Sequence, residues 1–327
     1  MPLWYGGSDI ADQSGRYIII TGGTSGLGLS TAKALTSRGA QVLVTGRSPA
    51  KGDRAVADVR AYTKNGQIEF MKCDVSDLRA VKEFAENYIK SGKKLHCLIN
   101  NAGTALPPHS ITKDGFEVTL ASNFYGPVYL TSLLLDVLKA SAPSRIVYEA
   151  SMLEQWGRVD WNDLGGKNAK ISDMGMYGTS KLYLLMFTPG LQQRLRDSGV
   201  DVFAVQPGLT NTSLYSGMQK TFVFYWFFLA MTFLVGQSPE RGSLSLLYCA
   251  TAPELQGKGG SYWGPFYFWL LIPNLCNTYP CYPQHKIASD HVACNKLFVK
   301  TARLLAKQVP EGEVFGISAQ AATKKEE

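Results

Sequence analysis

Six short runs of β-branched and apolar residues, separated by gaps long enough for a helix, leave this chain few folds to choose from. They are Tyr17–Thr21, Gln41–Thr45, Gln67–Met71, Leu95–Ile99, Arg145–Tyr148 and Val200–Val205. Each is nearly continuous in apolar character, as a strand must be when both of its faces are covered. Gaps of this length hold crossover helices rather than tight hairpin turns. The pattern therefore predicts a parallel, doubly wound α/β sheet with right-handed crossovers. No internal repeat and no Gly/Ser/Pro linker divides the first 260 residues. With 327 residues, 45% of them hydrophobic, the chain has enough apolar mass to close one such core.

Where the first run ends, the turn Thr21-Gly-Gly-Thr-Ser-Gly-Leu-Gly28 begins, and Leu29, Ala32 and Leu35 then recur at helical spacing. Gly22 permits the tight turn, Gly26 lets backbone approach a pyrophosphate, and Gly28 lets the helix pack close to the strand. The free N–H groups at the helix start face the negative charge. Three glycines alone are common in turns; the strand–turn–helix setting makes them a phosphate cradle. At the end of the second run, Gly46 is followed by Arg47. An acid there would accept from the ribose 2′-hydroxyl of NAD, whereas the planar fork of an arginine suits a 2′-phosphate. NADP(H) is therefore the expected cofactor.

About 150 residues beyond the glycine turn, Tyr177 and Lys181 stand four apart in Met176-Tyr-Gly-Thr-Ser-Lys181. On a helix they share a face. A free tyrosine ionises near pH ~10, and a neighbouring ammonium favours its phenolate. Lowering that value by two to three pH units asks for about 3–4 kcal/mol, which that ammonium and the positive ring of an oxidised nicotinamide can supply in a partly dry cleft. The tuned phenol would protonate a developing alkoxide, or remove an alcohol proton in the reverse direction.

The spacing Thr-Gly-x-x-x-Gly-x-Gly resembles the short-chain dehydrogenase/reductase superfamily, and further landmarks follow in the order of that family across roughly residues 14 to 255. The resemblance implies a Rossmann-type domain over residues 14–260, with substrate-loop helices at 213–236 and a C-terminal extension over 261–327. It implies a cofactor site built from Thr21, Gly22, Thr24, Ser25, Gly26, Leu27, Gly28 and Arg47. Asp74 and Val75 after the third strand, Asn101, Ala102 and Gly103 after the fourth, and Pro207, Gly208, Leu209 and Thr212 after the sixth complete it, with Tyr177 and Lys181. It further implies a catalytic set of Asn123, Ser151, Tyr177 and Lys181. Ser151 would hydrogen-bond the substrate oxygen, Lys181 would also bind the nicotinamide ribose, and Asn123 would hold a water in a proton path.

Ser151 and Tyr177 lie 26 residues apart, about twice the gap in many short members, and the insertion contains Val159-Asp-Trp-Asn-Asp-Leu164. That insertion resembles the retinol dehydrogenases, the WW-domain oxidoreductases and the plastid-envelope import-associated dehydrogenases. So do the segments Thr112–Phe124 and Ser238–Cys249. The resemblance implies an oxidoreductase acting on the carbonyl or alcohol of an apolar substrate such as a retinoid, an isoprenoid or a steroid. An NADP(H)-responsive scaffold without turnover, and a soluble reductase of small carbonyls, are the rival readings.

Two apolar stretches interrupt the alternation. Phe222–Val235 is too short to span a bilayer as a helix, and Tyr262–Ile272 is broken by Gly264-Pro265. Together they predict an aromatic surface that contacts one membrane leaflet in a peripheral or monotopic manner, the alternative being that both are core or walls of the substrate pocket. The N-terminus, Met1 to Ser14, lacks a secretory layout, and the terminal Lys324-Lys325-Glu326-Glu327 resembles a retrieval signal. The expected location is the cytosolic face of the endoplasmic reticulum or a lipid droplet, with the cytoplasm as the alternative. A net charge of +7 without basic runs gives no ground for nucleic-acid binding. The spacing of Cys276, Cys281, His285, His291 and Cys294 matches no paired-ligand metal pattern, so no metal is expected. A homodimer is implied by superfamily resemblance.

Overall fold

The structure, a computed structural model, describes residues 9–64, 66–211, 236–265, 278–283, 285–309 and 311–323. Phe222–Val235, the helices expected at 213–236, Thr212, residues 266–272, Cys276 and the terminal Lys324–Glu327 lie outside the described residues.

Eight strands form one sheet. They are β1 (Tyr17–Ile20), β2 (Gln41–Gly46), β3 (Ile68–Lys72), β4 (Cys97–Asn100), β5 (Ser144–Glu149), β6 (Val200–Val205), β7 (Ser261–Pro265) and β8 (Thr278–Cys281). Their spatial order is β3-β2-β1-β4-β5-β6-β7-β8, parallel throughout except for the β7–β8 pair. Side chains alternate between the two faces with the period of two that a strand imposes. In β1, Ile19 joins one apolar core while Ile18 and Ile20 join the other. The longer helices among the described residues are α1 (Gly26–Ser37), α2 (Pro49–Thr63), α3 (Leu78–Lys90), α4 (Gly126–Ala140), α5 (Asp173–Arg194), α6 (Pro239–Thr251) and α7 (His291–Gln308).

Local sequence explains where the helices start. Asp77, Ser172, Ser238 and Asp290 each accept hydrogen bonds from backbone N–H groups in the first turn of α3, α5, α6 and α7. Ser48 does the same for α2, with Pro49 at its first position. The far end of α6 is held by Arg145 of β5, whose guanidinium donates to the carbonyls of Cys249 (2.9 Å) and Ala252 (2.6 Å). The guanidinium also lies 5.8 Å from the centre of the Phe203 ring.

The six expected strands are all present. The stretch beginning at Tyr262 departs from the sequence reading. Tyr262 and Trp263 are core residues of β7, one packed into each face of the sheet, and neither is available to a membrane or to a pocket wall. A near-continuous apolar run fits a buried strand as well as a surface segment, and its hydrogen bonds to β6 decide the matter. The later C-terminal residues also join the core: Phe298 of α7 stacks on Phe187 of α5, ring centres 5.0 Å apart. Among the described residues no helix is long and apolar enough to cross a membrane. Within that same set, no group of three His, Cys, Asp or Glu side chains could hold a metal ion.

Candidate active site

The sheet order reverses between β1 and β4, which leaves a crevice at the carboxyl ends of the strands. A cleft of about 380 Å³ occupies that place. It is lined by eleven of the residues expected from the sequence: Gly22, Thr24, Ser25, Gly26, Leu27, Arg47, Asp74, Val75, Asn101, Ala102 and Gly103. Thr21 and Gly28 stand behind this lining. The Thr21 hydroxyl accepts from the backbone N–H groups of Asn101 (3.1 Å) and Ala102 (3.0 Å), and Asn101 Nδ2 donates to Thr21 O (2.8 Å). These bonds lock the end of β1 to the end of β4.

Glycine is required at two positions here. Gly22 has φ +68°, and a Cβ on it would fall 2.9 Å from Ala102 Cα. A Cβ on Gly28 would meet Gly22 O at 2.6 Å, so only glycine lets α1 start this close to the turn. The result is a backbone-walled hollow at a helix N-terminus, and its donor set and shape fit a dinucleotide pyrophosphate. At the β2 end, Arg47 is joined by Ser48 and Lys51, neither of which the sequence reading singled out. Asp74 holds the Ser76 hydroxyl (2.7 Å) and N–H (3.0 Å) on one carboxylate oxygen, leaving the other for the cleft.

The residues expected as the catalytic set lie behind Gly103 and are not among those that line the cleft; Lys181 Nζ is 3.9 Å from where a Cβ on Gly103 would stand. Tyr177 is buried against Ala105 and Leu106, with Leu153 and Met174 packed around it. One turn later on α5, Lys181 Nζ lies 5.5 Å from the centre of the Tyr177 ring and donates to Glu149 O at 2.7 Å. Burial lowers the Lys181 ammonium below its usual range, and the Glu149 carboxyl opposes that fall. Ser151 follows β5, half-buried, and its oxygen accepts from Leu153 N at 3.2 Å. The hydroxyl proton stays available to a substrate oxygen.

Asn123 sits in a π-helical turn, Ala121–Tyr125, just before α4. Its side chain clamps the Thr104 backbone, accepting from N (2.8 Å) and donating to O (2.9 Å), and donates to the Ser180 hydroxyl at 3.0 Å. The side-chain amide is therefore spent on holding the Gly103–Thr104 loop beside α5. The π-turn in which it sits is the kind of helix irregularity that recurs at functional sites. Pro207, Gly208 and Leu209 form a turn after β6, fixed by Gln237, whose side chain donates to Pro207 O and whose backbone donates to Leu209 O at 2.9 Å. They do not line the cleft, and Thr212 lies beyond the described residues.

Four more cleft-lining residues were not anticipated: Cys73, Thr104, Ser122 and Glu149. Glu149 is the informative one. Burial pushes its carboxyl up to about 7, against the pull of Lys181. A glutamate immediately after the apolar run ending at Tyr148, two residues before Ser151, was the signal available in the sequence.

The profile of the family described as short chain dehydrogenase matches residues 16–221, and the chain belongs to that family. It is accordingly an oxidoreductase of alcohols or carbonyls that works with a nicotinamide cofactor, NAD or NADP. Among curated relatives, it is similar to polyprenol dehydrogenase of Mus musculus, 40% identical over 256 residues (76% of each chain). Retinol dehydrogenase 12 of Mus musculus is 38% identical over 248 residues, 76% of this chain and 77% of the relative. Retinol dehydrogenase 13 of the same organism is 37% identical over 301 residues, 91% and 86% of the two chains. A crystal structure of an uncharacterized protein from Mycobacterium Paratuberculosis superposes with a TM-score of 0.72 at 30% identity, covering 94% of this chain and 99% of that one.

Proposed function

We propose that this protein is an NADP(H)-dependent oxidoreductase that interconverts the hydroxyl and carbonyl of a long apolar substrate of the retinoid or polyprenol kind. The observation that carries the reading is the buried pair of Tyr177 and Lys181, with Nζ 5.5 Å from the ring centre and 3.9 Å from the Cβ position of Gly103, a residue that lines the cleft. Arg47 and Lys51 at the β2 end support the phosphorylated cofactor, since two cations there attract a 2′-phosphate. The retinol and polyprenol dehydrogenases among the relatives support a lipid-like alcohol. A membrane surface, on the cytosolic face of the endoplasmic reticulum, is where such a substrate would be met.

The bound nicotinamide would supply or accept the hydride. The protein's own residues manage the oxygen and its proton. The Ser151 hydroxyl donates to the substrate oxygen and holds it toward Tyr177. The phenol gives its proton to that oxygen as reduction proceeds and takes it back in oxidation. Lys181 favours the phenolate by its charge, and the Glu149 carbonyl keeps the ammonium aimed. Ala105, Leu106, Leu153 and Met174 exclude water from the phenol.

Tyr177→Phe tests the reading. NADPH oxidation in the presence of all-trans-retinal should fall by about 10²–10⁴-fold, while the dissociation constant for NADPH, read by fluorescence, changes less than about 3-fold. A variant that keeps most of its turnover would refute the assignment.

A further inference from the structure

Ser151 and Tyr177 belong to different elements, so the gap between them has to be fixed by what lies around both. Ser151 opens a short 3₁₀ turn, Met152–Trp156, and its carbonyl accepts from Glu154 N at 3.1 Å. One side of this turn lies directly on α5. A Cβ on Gly157 would stand 2.7 Å from Gly178 O, and one on Gly178 would stand 2.6 Å from Leu153 O. Arg158 N adds a bond to the Thr179 hydroxyl at 3.0 Å. Backbone therefore meets backbone at the residue next to Tyr177, with no side chain in between.

The other side of the turn is held from the C-terminal extension. Glu154 is 1% exposed, and its carboxylate accepts from His285 N at 3.3 Å. A buried carboxylate is costly unless it is bonded, so this side chain is out of place in a turn that only has to pack. His285 itself starts a second 3₁₀ turn, Lys286–Ser289, and its Nδ1 accepts from Ile287 N at 3.4 Å. Asp290 then caps α7. A further contact grips the same insertion: Lys296 of α7 lies 4.5 Å from the centre of the Trp161 ring. The extension thus touches the stretch between Ser151 and Tyr177 at two places.

We propose that Glu154 is a positioning residue for Ser151: by binding the His285 backbone it makes the C-terminal extension one jaw of a clamp, with α5 as the other, that sets where the Ser151 hydroxyl stands relative to Tyr177. The inference rests on the reading of Ser151 as the group that donates to the substrate oxygen. Glu154 does not line the cofactor cleft, and it acts through one turn of backbone. Without its bond the turn rests on α5 alone. A displacement of about 1 Å in a group that orients a reacting oxygen costs on the order of 10²-fold in rate.

Glu154→Leu removes the acceptor and keeps the bulk, whereas Glu154→Gln keeps an oxygen able to accept from His285 N. With NADPH and all-trans-retinal, kcat of Glu154→Leu should fall about 10–100-fold, with KM and the dissociation constant for NADPH within about 3-fold of wild type. Glu154→Gln should recover kcat to within about 3-fold, and a glutamine variant as slow as the leucine one overturns the proposal. The deciding measurement is a double-mutant cycle. In a Ser151→Ala background no hydroxyl is left to place, so adding Glu154→Leu should lower kcat by less than about a further 3-fold. Losses that multiply would mean that Glu154 serves the fold in general, and they overturn the proposal. An unaltered kcat in Glu154→Leu overturns it too. Should Glu154→Leu not fold, Glu154→Asp takes its place in the cycle, since it keeps the charge and draws the carboxylate back from His285 N by one methylene. The failures are separable: full turnover in Ser151→Ala refutes the reading of the site, whereas multiplying losses remove this inference alone.

Discussion

Replacing Glu149 with glutamine should make the folded protein less sensitive to pH, and the size of the effect follows from the burial of one carboxyl. In the folded chain that group ionises at about 7. In the unfolded chain it ionises near ~4.3. Below that lower value both states hold the proton and nothing is lost. Between the two values the unfolded chain releases a proton that the folded chain retains, so stability falls by about 1.4 kcal/mol for each pH unit. Over the whole interval the loss comes to roughly 3–4 kcal/mol, complete just above neutrality. Glutamine has no proton to lose. The stability of Glu149→Gln relative to wild type should therefore rise by about that amount between pH 4 and pH 7.5. Urea unfolding at several pH values measures it, and the contributions of titrating groups that do not interact with Glu149 cancel in the difference. In thermal scans the gap should widen by about 4–6 °C. A difference that stays flat across the range would mean that the carboxyl is solvated and ionises normally, and the reasoning would fail.

Two further outcomes follow from the cofactor cleft. The double variant Arg47→Ala/Lys51→Ala should weaken NADPH binding by about 10²–10⁴-fold, since each charged hydrogen bond to phosphate is worth about 1.5–3 kcal/mol, and should leave NADH binding within about 3-fold. Equal losses for both cofactors would remove these cations from phosphate recognition. Gly28→Ala places a Cβ 2.6 Å from Gly22 O, so α1 must back away from the turn. Affinity for either dinucleotide should drop by at least about tenfold with little change in circular dichroism, and unaltered affinity would show that the cradle tolerates the shift.

The sheet was legible because its strands are buried on both faces, and continuous apolar runs such as Tyr17–Ile20 have few other uses in a chain this size. β7 was not legible for the same reason turned around. Ser261–Pro265 leads into a longer aromatic stretch, and composition could not separate an inner strand from an apolar surface. The glycine turn, Arg47, Asp74 and the Tyr177–Lys181 pair could be placed from spacing because each sits at a strand end or on one helix face. Glu149 escaped notice because its strand was taken to stop at Tyr148, one residue short. Asn123 was expected to hold a water in a proton path, and its amide makes bonds to Thr104 and Ser180 that the sequence did not announce. No local pattern announces such a bond, since its partners come from a loop and from another helix.

The turn after β6 is tied to the chain that leads into α6. Asn211 N donates to Gln237 O at 3.0 Å, Gln237 N donates to Leu209 O at 2.9 Å, and Thr210 bridges to Gln237. Residues far apart in sequence are thereby stitched into one seam whose bonds run through main-chain atoms. Main-chain bonds do not depend on which side chains the seam carries, so its residues can be exchanged by evolution while the stitch is kept.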